Sequence, residues 1–243
     1  MTVVPYKEKS TSKRVQVEEM FDHIAHKYDF LNRFLSLGID TIWRKKLIAK
    51  LKNSKPQYVL DIATGTADVA LATAKQLHPA RIVGVDISNL MLEVGRNKIK
   101  QKNLSSTIVL LQADSENLPF AQNEFDAATV AFGVRNFEHL DVGLTEILRV
   151  LKPGSTLAVL EFSKPESFPI KQLYQFYFQY ILPKVGNWLS KDASAYAYLP
   201  ESVDKFPYGK DFLLILEKVG FKNSQCHSLT FGIASIYTAQ KPL

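Results

Sequence analysis

Apolar residues at helical spacing predict helices in the first 55 residues of the chain, on either side of a break at Leu37-Gly38. The positions with this spacing are Met20, Phe21 and Ile24 before the break and Ile42, Trp43, Leu47, Ile48 and Leu51 after it. After Pro56 the pattern changes to short apolar runs rich in β-branched residues, most of them followed by a helical stretch. A helical N-terminal segment therefore precedes a region in which strands and helices alternate.

The alternating region predicts a seven-stranded sheet. Five strands are predicted at Tyr58 to Ile62, Arg81 to Asp86, Thr107 to Leu111, Phe125 to Phe132 and Thr156 to Leu160. The helices between them are predicted at Ala67 to Leu77, Ser88 to about Lys102 and Leu140 to Val150, the last followed by a turn at Lys152-Pro153-Gly154. A helix from Lys210 to Val219 and two closing strands, Phe221 to Thr230 and Ile233 to Ala239, complete the pattern. This order predicts a doubly wound α/β fold, whose mostly parallel sheet is covered by helices on both faces.

One segment does not fit the alternation. Residues 168–208 hold 11 of the 27 aromatic residues of the chain. We interpret this segment as an aromatic helical insertion that caps the sheet. The predicted organisation is a helical lid at residues 1–56 and an α/β domain at residues 57–243 that carries the cap.

The composition, 46% apolar and 22% charged, is typical of a globular protein with a buried core. No apolar run approaches the roughly 18 residues of a membrane-spanning helix. The single cysteine, Cys226, has no partner for a disulfide or a zinc site, and the N-terminus lacks the apolar stretch of a signal peptide. These features predict a cytoplasmic protein without a bound metal.

The net charge of +6 comes entirely from the first 56 residues. Residues 1–56 hold 12 Lys/Arg and 6 Asp/Glu, whereas residues 57–243 hold 18 of each. Such a segment can face nucleic acid, an anionic membrane or an acidic substrate, although a solvated helix face is the commoner explanation.

Acidic residues at the ends of successive predicted strands indicate a nucleoside site. The turn at residues 61–68 has only Gly65 where a dinucleotide site needs G-x-G-x-x-G, and Asp68 in the first helical turn would repel a pyrophosphate. Asp86 ends the second strand, 21 residues after Gly65, where an acid can accept hydrogen bonds from ribose hydroxyls. Asp114-Ser115 follows the third strand, and a carboxylate there can accept from an adenine amine. Each aspartate alone can be a helix cap, but together they predict an adenosyl group with a positively charged tail.

Motifs that occur along nearly the whole chain carry a family resemblance. They are Phe21 to Asp29, then Asn32, Ser36, Gly38 and Trp43, then Asp61 to Asp68, Asn117 to Phe120, Ala131 to Asn136, Arg149 to Gly154 and Leu160 to Pro165. With these motifs the sequence resembles the class I S-adenosylmethionine-dependent methyltransferases, which have a Rossmann-like fold, and among them the quinone C-methyltransferase family of menaquinone and ubiquinone biosynthesis. It departs from the pattern at Ala67, which occupies a glycine position, and at Ala131, where some ubiquinone-pathway members have serine.

The resemblance implies that S-adenosylmethionine (SAM) is the methyl donor. It would be held by Thr66, Asp86 and Asp114-Ser115, together with Asp61 and Gly65 of the first turn. The implied reaction is C-methylation of a polyprenyl demethylmenaquinol, the last step of menaquinone biosynthesis. The alternative is methylation of the ubiquinone precursor, instead of or in addition to demethylmenaquinol. Ala131 does not favour this alternative, because some ubiquinone-pathway members have serine at that position. A non-catalytic SAM-binding scaffold, a nucleic-acid methyltransferase and a nicotinamide oxidoreductase are less favoured.

Three residues are predicted to be catalytic. Arg135 and Asn136 follow the fourth strand and would face the acceptor, Arg135 to stabilise an oxyanion and Asn136 to orient the ring or a water. Tyr28, in the N-terminal motif, is the third. The base stays open among His23, His26 and a water held by Asn136. The alternative for Arg135 is an ion pair with Glu138 or Asp141.

The predicted acceptor also implies an apolar pocket and a membrane contact. Aromatic residues of the cap and of the N-terminal helices would enclose the quinol ring and the first isoprene units, unless they form ordinary core. The N-terminal candidates are Phe21, Tyr28, Phe30, Leu31 and Phe34. Because a polyprenyl quinol resides in the bilayer, the enzyme is expected to be a peripheral membrane protein whose basic segment contacts anionic lipid, at about 1 kcal/mol per Lys or Arg. No nucleic-acid partner is expected, and homo-oligomerisation stays open.

Overall fold

A seven-stranded sheet forms the centre of the computed structural model, which describes residues 3–177, 180 and 193–243. Its strands are β1 (Tyr58–Ile62), β2 (Arg81–Asp86), β3 (Ile108–Gln112), β4 (Phe125–Ala131), β5 (Leu151–Phe162), β6 (Lys222–Leu229) and β7 (Ala234–Gln240). Their order is β3-β2-β1-β4-β5-β7-β6, with β7 antiparallel to its neighbours and the other pairs parallel. The predicted doubly wound, mostly parallel sheet is therefore confirmed, and the strand order reverses between β1 and β4.

The described α-helices cover both faces of the sheet and its carboxyl edge. They are α1 (Lys13–Ile24), α2 (Tyr28–Leu35), α3 (Ile39–Ala49), α4 (Asp68–Leu77), α5 (Asn89–Gln101), α6 (Leu140–Val150), α7 (Ile170–Phe176), α8 (Ala193–Lys205) and α9 (Lys210–Val219). Alternate residues of the strands pack on opposite faces: Val59 contacts the cluster of α4 and α5, whereas Leu60 belongs to the cluster of α6 and α9. None of the described helices is both long and apolar enough to cross a membrane.

The break predicted at Leu37-Gly38 is the start of α3. Gly38 has a φ of 77°, a left-handed conformation that glycine adopts without strain, and it precedes the first residue of the helix. The structure adds α2 between the two predicted helical stretches.

The prediction of a turn at Lys152-Pro153-Gly154 is wrong, because these residues lie within β5. The ladder between β4 and β5 moves from the pair Phe125–Leu151 to the pair Ala127–Thr156, so β5 accommodates extra residues in a bulge. Gly154, with a φ of 77°, donates its N–H to the carbonyl of Lys241 and so keeps the bulge bonded to the chain beyond β7.

The inserted segment and the N-terminal helices contact each other. Tyr198 of α8 packs with Val17 and Met20 of α1 and with Leu31 of α2 in a small separate core. Phe178 and Trp188, two of the predicted cap aromatics, lie outside the described residues. The division into lid and α/β domain stays a prediction.

Candidate active site

Two adjoining cavities lie beyond the carboxyl ends of β1 and β4, where the strand order reverses. The smaller has a volume of about 60 Å³ and is lined by the turn after β1, the end of β2 and α1. The larger has a volume of about 390 Å³ and lies between the N-terminal helices, the ends of β4 and β5, and α7 and α8. Phe21, Tyr28 and Phe132 line both cavities, so these three rings form the boundary between them.

Asp86 is the acidic group of the smaller cavity. Its carboxylate accepts hydrogen bonds from the backbone N–H of Gly65 at 2.8 Å and of Ser88 at 3.0 Å. Burial raises the pKa of Asp86 to about 6, against the lowering effect of these hydrogen bonds, so the group is ionised at neutral pH. The 21-residue spacing noted in the sequence thus corresponds to a direct contact between Asp86 and the turn.

The other walls of the smaller cavity suit an adenosine. Ile87, Met91 and Ala113 supply apolar surface, and Ser115 supplies a hydroxyl near the end of β3. The nucleoside of SAM needs a carboxylate that accepts hydrogen bonds from its ribose hydroxyls and an apolar slot for its flat base. The smaller cavity has both. The residues present therefore fit the cofactor.

The predicted ligands Asp61 and Thr66 are engaged with protein groups. The buried Asp61 carboxylate accepts from the hydroxyls of Thr64 and Thr129, each at 2.6 Å, and so ties the turn to β4. Burial raises its pKa to about 6. The Thr66 hydroxyl donates to Asp29 of α2. Direct contact of either residue with the cofactor stays a prediction.

Asp114 does not line the smaller cavity, although its neighbours Ala113 and Ser115 do. One carboxylate oxygen accepts from the Glu116 N–H at 2.9 Å, and the other lies 3.6 Å from Nε of Arg14 in α1. Its role as a ligand of the adenine also stays a prediction.

Asp68 does not present an unbalanced charge. Its carboxylate pairs with Lys98 of α5 and lies 3.8 Å from Arg44 of α3. Lys98 also donates to Asp29 at 2.7 Å and to Thr66 at 3.1 Å. Lys98 lies 30 residues further along the chain and balances the charge of Asp68. Asp68 is therefore not a reason to exclude a pyrophosphate from this turn.

The turn after β1 has left-handed backbone at three alternate positions, Ala63, Gly65 and Ala67, with φ values of 51°, 54° and 65°. Alanine is strained in this region, whereas glycine is not. The conformation explains why the class pattern has a glycine at the position that Ala67 occupies in this chain.

Arg135 lies in the wall of the larger cavity, on a short 3-10 turn after β4. Its Nη1 donates to Oε1 of Glu161 at 2.8 Å and to the carbonyl oxygen of Phe132. Its Nε is buried and has no hydrogen-bond partner within the described part of the chain. The suggested ion pair with Glu138 or Asp141 is wrong, because Arg135 turns towards the neighbouring strand β5. Glu161 belongs to the motif Leu160 to Pro165, but the sequence indicated no role for it.

Asn136 and Tyr28 lie where the cavities meet. Asn136 lines the smaller cavity, and its Oδ1 accepts from the hydroxyl of Tyr198, a wall residue of the larger one, at 3.0 Å. Burial raises the pKa of Tyr28 and of Tyr198, so both phenols stay protonated at neutral pH. The positions of Arg135, Asn136 and Tyr28 are compatible with the predicted catalytic roles.

The candidate bases His23 and His26 do not line either cavity, and both are exposed. Three tyrosines of the predicted aromatic cap, Tyr174, Tyr177 and Tyr198, line the larger cavity instead. The only signal for them was the aromatic content of residues 168–208.

The fold and the two cavities define a class I SAM-dependent methyltransferase. A SAM-dependent methyltransferase from Thermotoga maritima shares the fold, with a TM-score of 0.63 and 20% identity over 92% of this chain and 98% of that one. Residues 7–241 match the ubiE/COQ5 methyltransferase family, and the chain belongs to this family. SAM is therefore its methyl donor.

Two relatives illustrate the match. The demethylmenaquinone methyltransferase of Bacteroides fragilis is 49% identical over 229 residues, which cover 94% of each chain. The ubiquinone/menaquinone biosynthesis C-methyltransferase UbiE of Geotalea daltonii is 46% identical over 234 residues, which cover 96% of this chain and 99% of the relative.

Proposed function

We propose that the protein methylates a ring carbon of a polyprenyl demethylmenaquinol, giving menaquinol in the last step of menaquinone biosynthesis. The observation that carries the proposal is a buried arginine in the wall of an apolar cavity of about 390 Å³, next to the nucleoside cavity. An apolar ring with a hydroxyl that can ionise beside the arginine matches this combination. The name of the Bacteroides fragilis relative supports the same acceptor.

The residues at the boundary of the cavities position the acceptor and stabilise its charge. Bound SAM supplies an electrophilic methyl group on a positively charged sulfur. Arg135 favours the ionised form of the quinol hydroxyl, whose proton leaves to solvent, and the anion makes the ring carbon more nucleophilic. As the bond from this carbon to the methyl group forms, the methyl–sulfur bond would break to leave a neutral thioether, and the proton displaced from the ring carbon leaves to solvent. The Asn136–Tyr198 hydrogen bond and the Tyr28 ring hold the acceptor face against the smaller cavity, so the protein contributes mainly by orientation.

We propose further that the protein is cytoplasmic and binds the membrane surface at the mouth of the larger cavity. Leu37, Leu173 and Phe231 line this cavity and are nevertheless 86%, 62% and 75% exposed. Exposed lysines of α3, Lys45 and Lys46, belong to the basic first segment. Apolar side chains that line a pocket and are exposed, with cations on a helix that also lines it, suit an anionic bilayer that delivers a polyprenyl substrate.

Sedimentation with anionic vesicles tests the membrane contact. Binding should weaken with salt and with the double substitution Leu37→Ser/Phe231→Ser, whereas Leu214→Ser, at an exposed position of α9, serves as the control. Equal sedimentation of all three proteins, or binding that salt does not change, would contradict this surface.

An assay with methyl-labelled SAM tests the reaction. Purified protein is given reduced demethylmenaquinone with a short tail or, in parallel, the methoxy-benzoquinol precursor of ubiquinone. We expect label in the menaquinol. Label in both products would support the alternative that the enzyme acts in both pathways. The name of the Geotalea relative mentions both ubiquinone and menaquinone biosynthesis. Label in neither, with SAM binding intact, would favour a non-catalytic scaffold and refute the proposal.

A further inference from the structure

The carboxylate of Glu161 is the buried partner of Arg135. Glu161 lies near the end of β5, and its side chain is inaccessible to solvent. Oε1 accepts from Nη1 of Arg135 at 2.8 Å and from the N–H of Phe162 at 2.9 Å, and Oε2 accepts from the Arg135 N–H at 3.4 Å. The acid therefore contacts both the backbone and the side chain of Arg135.

These contacts leave the guanidinium little freedom to rotate. Nη1 is shared between Glu161 and the Phe132 carbonyl, and the guanidinium lies 5.5 Å from the centre of the Phe162 ring. The Nε–H is buried without a partner among the described residues. A buried donor without an acceptor costs free energy.

Stability alone is a weak reason for this pair. Replacement of a buried ion pair by apolar residues of similar volume is often neutral or stabilising, because two charges lose their hydration. Burial raises the pKa of Glu161, and only the nearby Arg135 and the backbone N–H groups oppose this rise. The pair is thus a costly arrangement, located where the acceptor is expected.

We propose that Glu161 is a positioning residue for the methyl transfer, whose carboxylate holds the Arg135 guanidinium in the wall of the larger cavity for the hydroxyl of the bound quinol. The inference rests on the proposed function. Glu161 also balances the charge of Arg135, so the cavity wall is close to neutral until the hydroxyl ionises. An apolar ring then enters without facing an uncompensated cation, and the anion that forms is the charge that Arg135 can stabilise.

Glu161→Gln separates positioning from packing, because glutamine keeps the size and one oxygen acceptor but loses the charge. We expect turnover at its pH optimum to fall by about 10- to 100-fold, since the guanidinium is held less firmly. We also expect the acidic limb of the pH profile to move down by about half a unit or more, because an unbalanced Arg135 favours the ionised quinol. The KM for SAM should change by less than about twofold, since Glu161 does not line the smaller cavity.

Other groups titrate near this limb, namely Asp61 and Asp86 with pKa values of about 6 and Lys13 with a pKa of about 8. The further titratable groups that Arg135 influences are Lys13, Tyr28, Tyr174 and Tyr198. The three phenols have raised pKa values, and the pKa of Lys13 is about 8. Because Asp61, Asp86 and Lys13 are present in wild-type protein and in every variant, a comparison at saturating SAM isolates the shift that the loss of the Glu161 charge causes.

The assay compares wild-type protein, Glu161→Gln and Glu166→Gln, a control at an exposed acid five residues further along the chain. A folded Glu161→Gln protein with wild-type turnover and an unmoved acidic limb would overturn the inference alone. A wild-type protein that methylates neither quinol would overturn the proposed function with it. If Glu161→Gln does not fold, Glu161→Asp replaces it: this variant keeps the charge and shortens the side chain, so turnover should fall with the acidic limb unmoved, and wild-type turnover would contradict positioning.

Discussion

Lys13, the first residue of α1, joins the N-terminal helices to the turn that carries Arg135. Its buried ammonium donates to the carbonyl oxygens of Arg135 at 2.9 Å and of Phe137 at 2.8 Å. In return, the Glu138 carboxylate accepts from the N–H groups of Lys13 and Arg14 at the start of α1. We predict that this lysine makes the stability of the protein depend on pH in the alkaline range.

The magnitude follows from the pKa of Lys13. Burial, with a further contribution from the positive charge of Arg135, lowers it from 10.5 to about 8. Between these values the unfolded chain binds more protons at this site than the folded one, so the free energy of unfolding rises with pH. The stabilisation that the folded protein gains from deprotonation of Lys13 is absent below pH 8 and complete above pH 10.5. At 1.36 kcal/mol per pH unit it amounts to about 3 kcal/mol.

Urea unfolding followed by tryptophan fluorescence measures this effect, with Lys13→Met as the reference. The difference in unfolding free energy between wild type and Lys13→Met cancels the titration of other lysines and tyrosines. We expect this difference to move in favour of the wild type by about 2 to 3 kcal/mol between pH 8 and pH 10.5. If the difference in unfolding free energy stays constant between pH 8 and pH 10.5 while both proteins are folded, burial of the charged ammonium does not destabilise the folded protein, and the prediction is wrong.

Two further predictions concern the cofactor and acceptor sites. Because burial places the pKa of Asp86 at about 6, SAM affinity in equilibrium titrations should fall as the pH drops from 7 to 5. Asp86→Asn should bind SAM more weakly at pH 7.5 and lose most of this dependence, and an unchanged slope would assign the effect to Asp61, which has a similar pKa. Arg135→Ala should lower turnover by about 10²- to 10³-fold while the Kd for SAM changes by less than about threefold. Unchanged turnover in a folded Arg135→Ala protein would remove this residue from the mechanism.

The predicted elements that agree best with the structure are those with a clear period. The strand Arg81–Asp86 and the helix Lys210–Val219 have the bounds that their apolar spacing indicates. The bulge at Lys152-Pro153-Gly154 was missed, because a proline and a glycine in sequence predict a turn whether or not a neighbouring strand continues the ladder.

The sequence by itself determined the class of fold and predicted that Asp86 lies beside the turn after β1. A strand-end acid at a fixed distance from Gly65 is a local signal, since Gly65 follows the first strand of one βαβ unit and Asp86 ends the second. Asp86 and Gly65 are accordingly in contact.

Only the tertiary structure decided the partners of the charged side chains. Glu161 lies 26 residues after Arg135, and Lys13 lies 122 residues before it. The periodicity of a segment reports which of its faces is buried, but not which strand or helix lies against that face. The order of the strands places the end of β5 beside that of β4. The packing of α1 buries Lys13, a residue of the basic first segment, against the turn that carries Arg135.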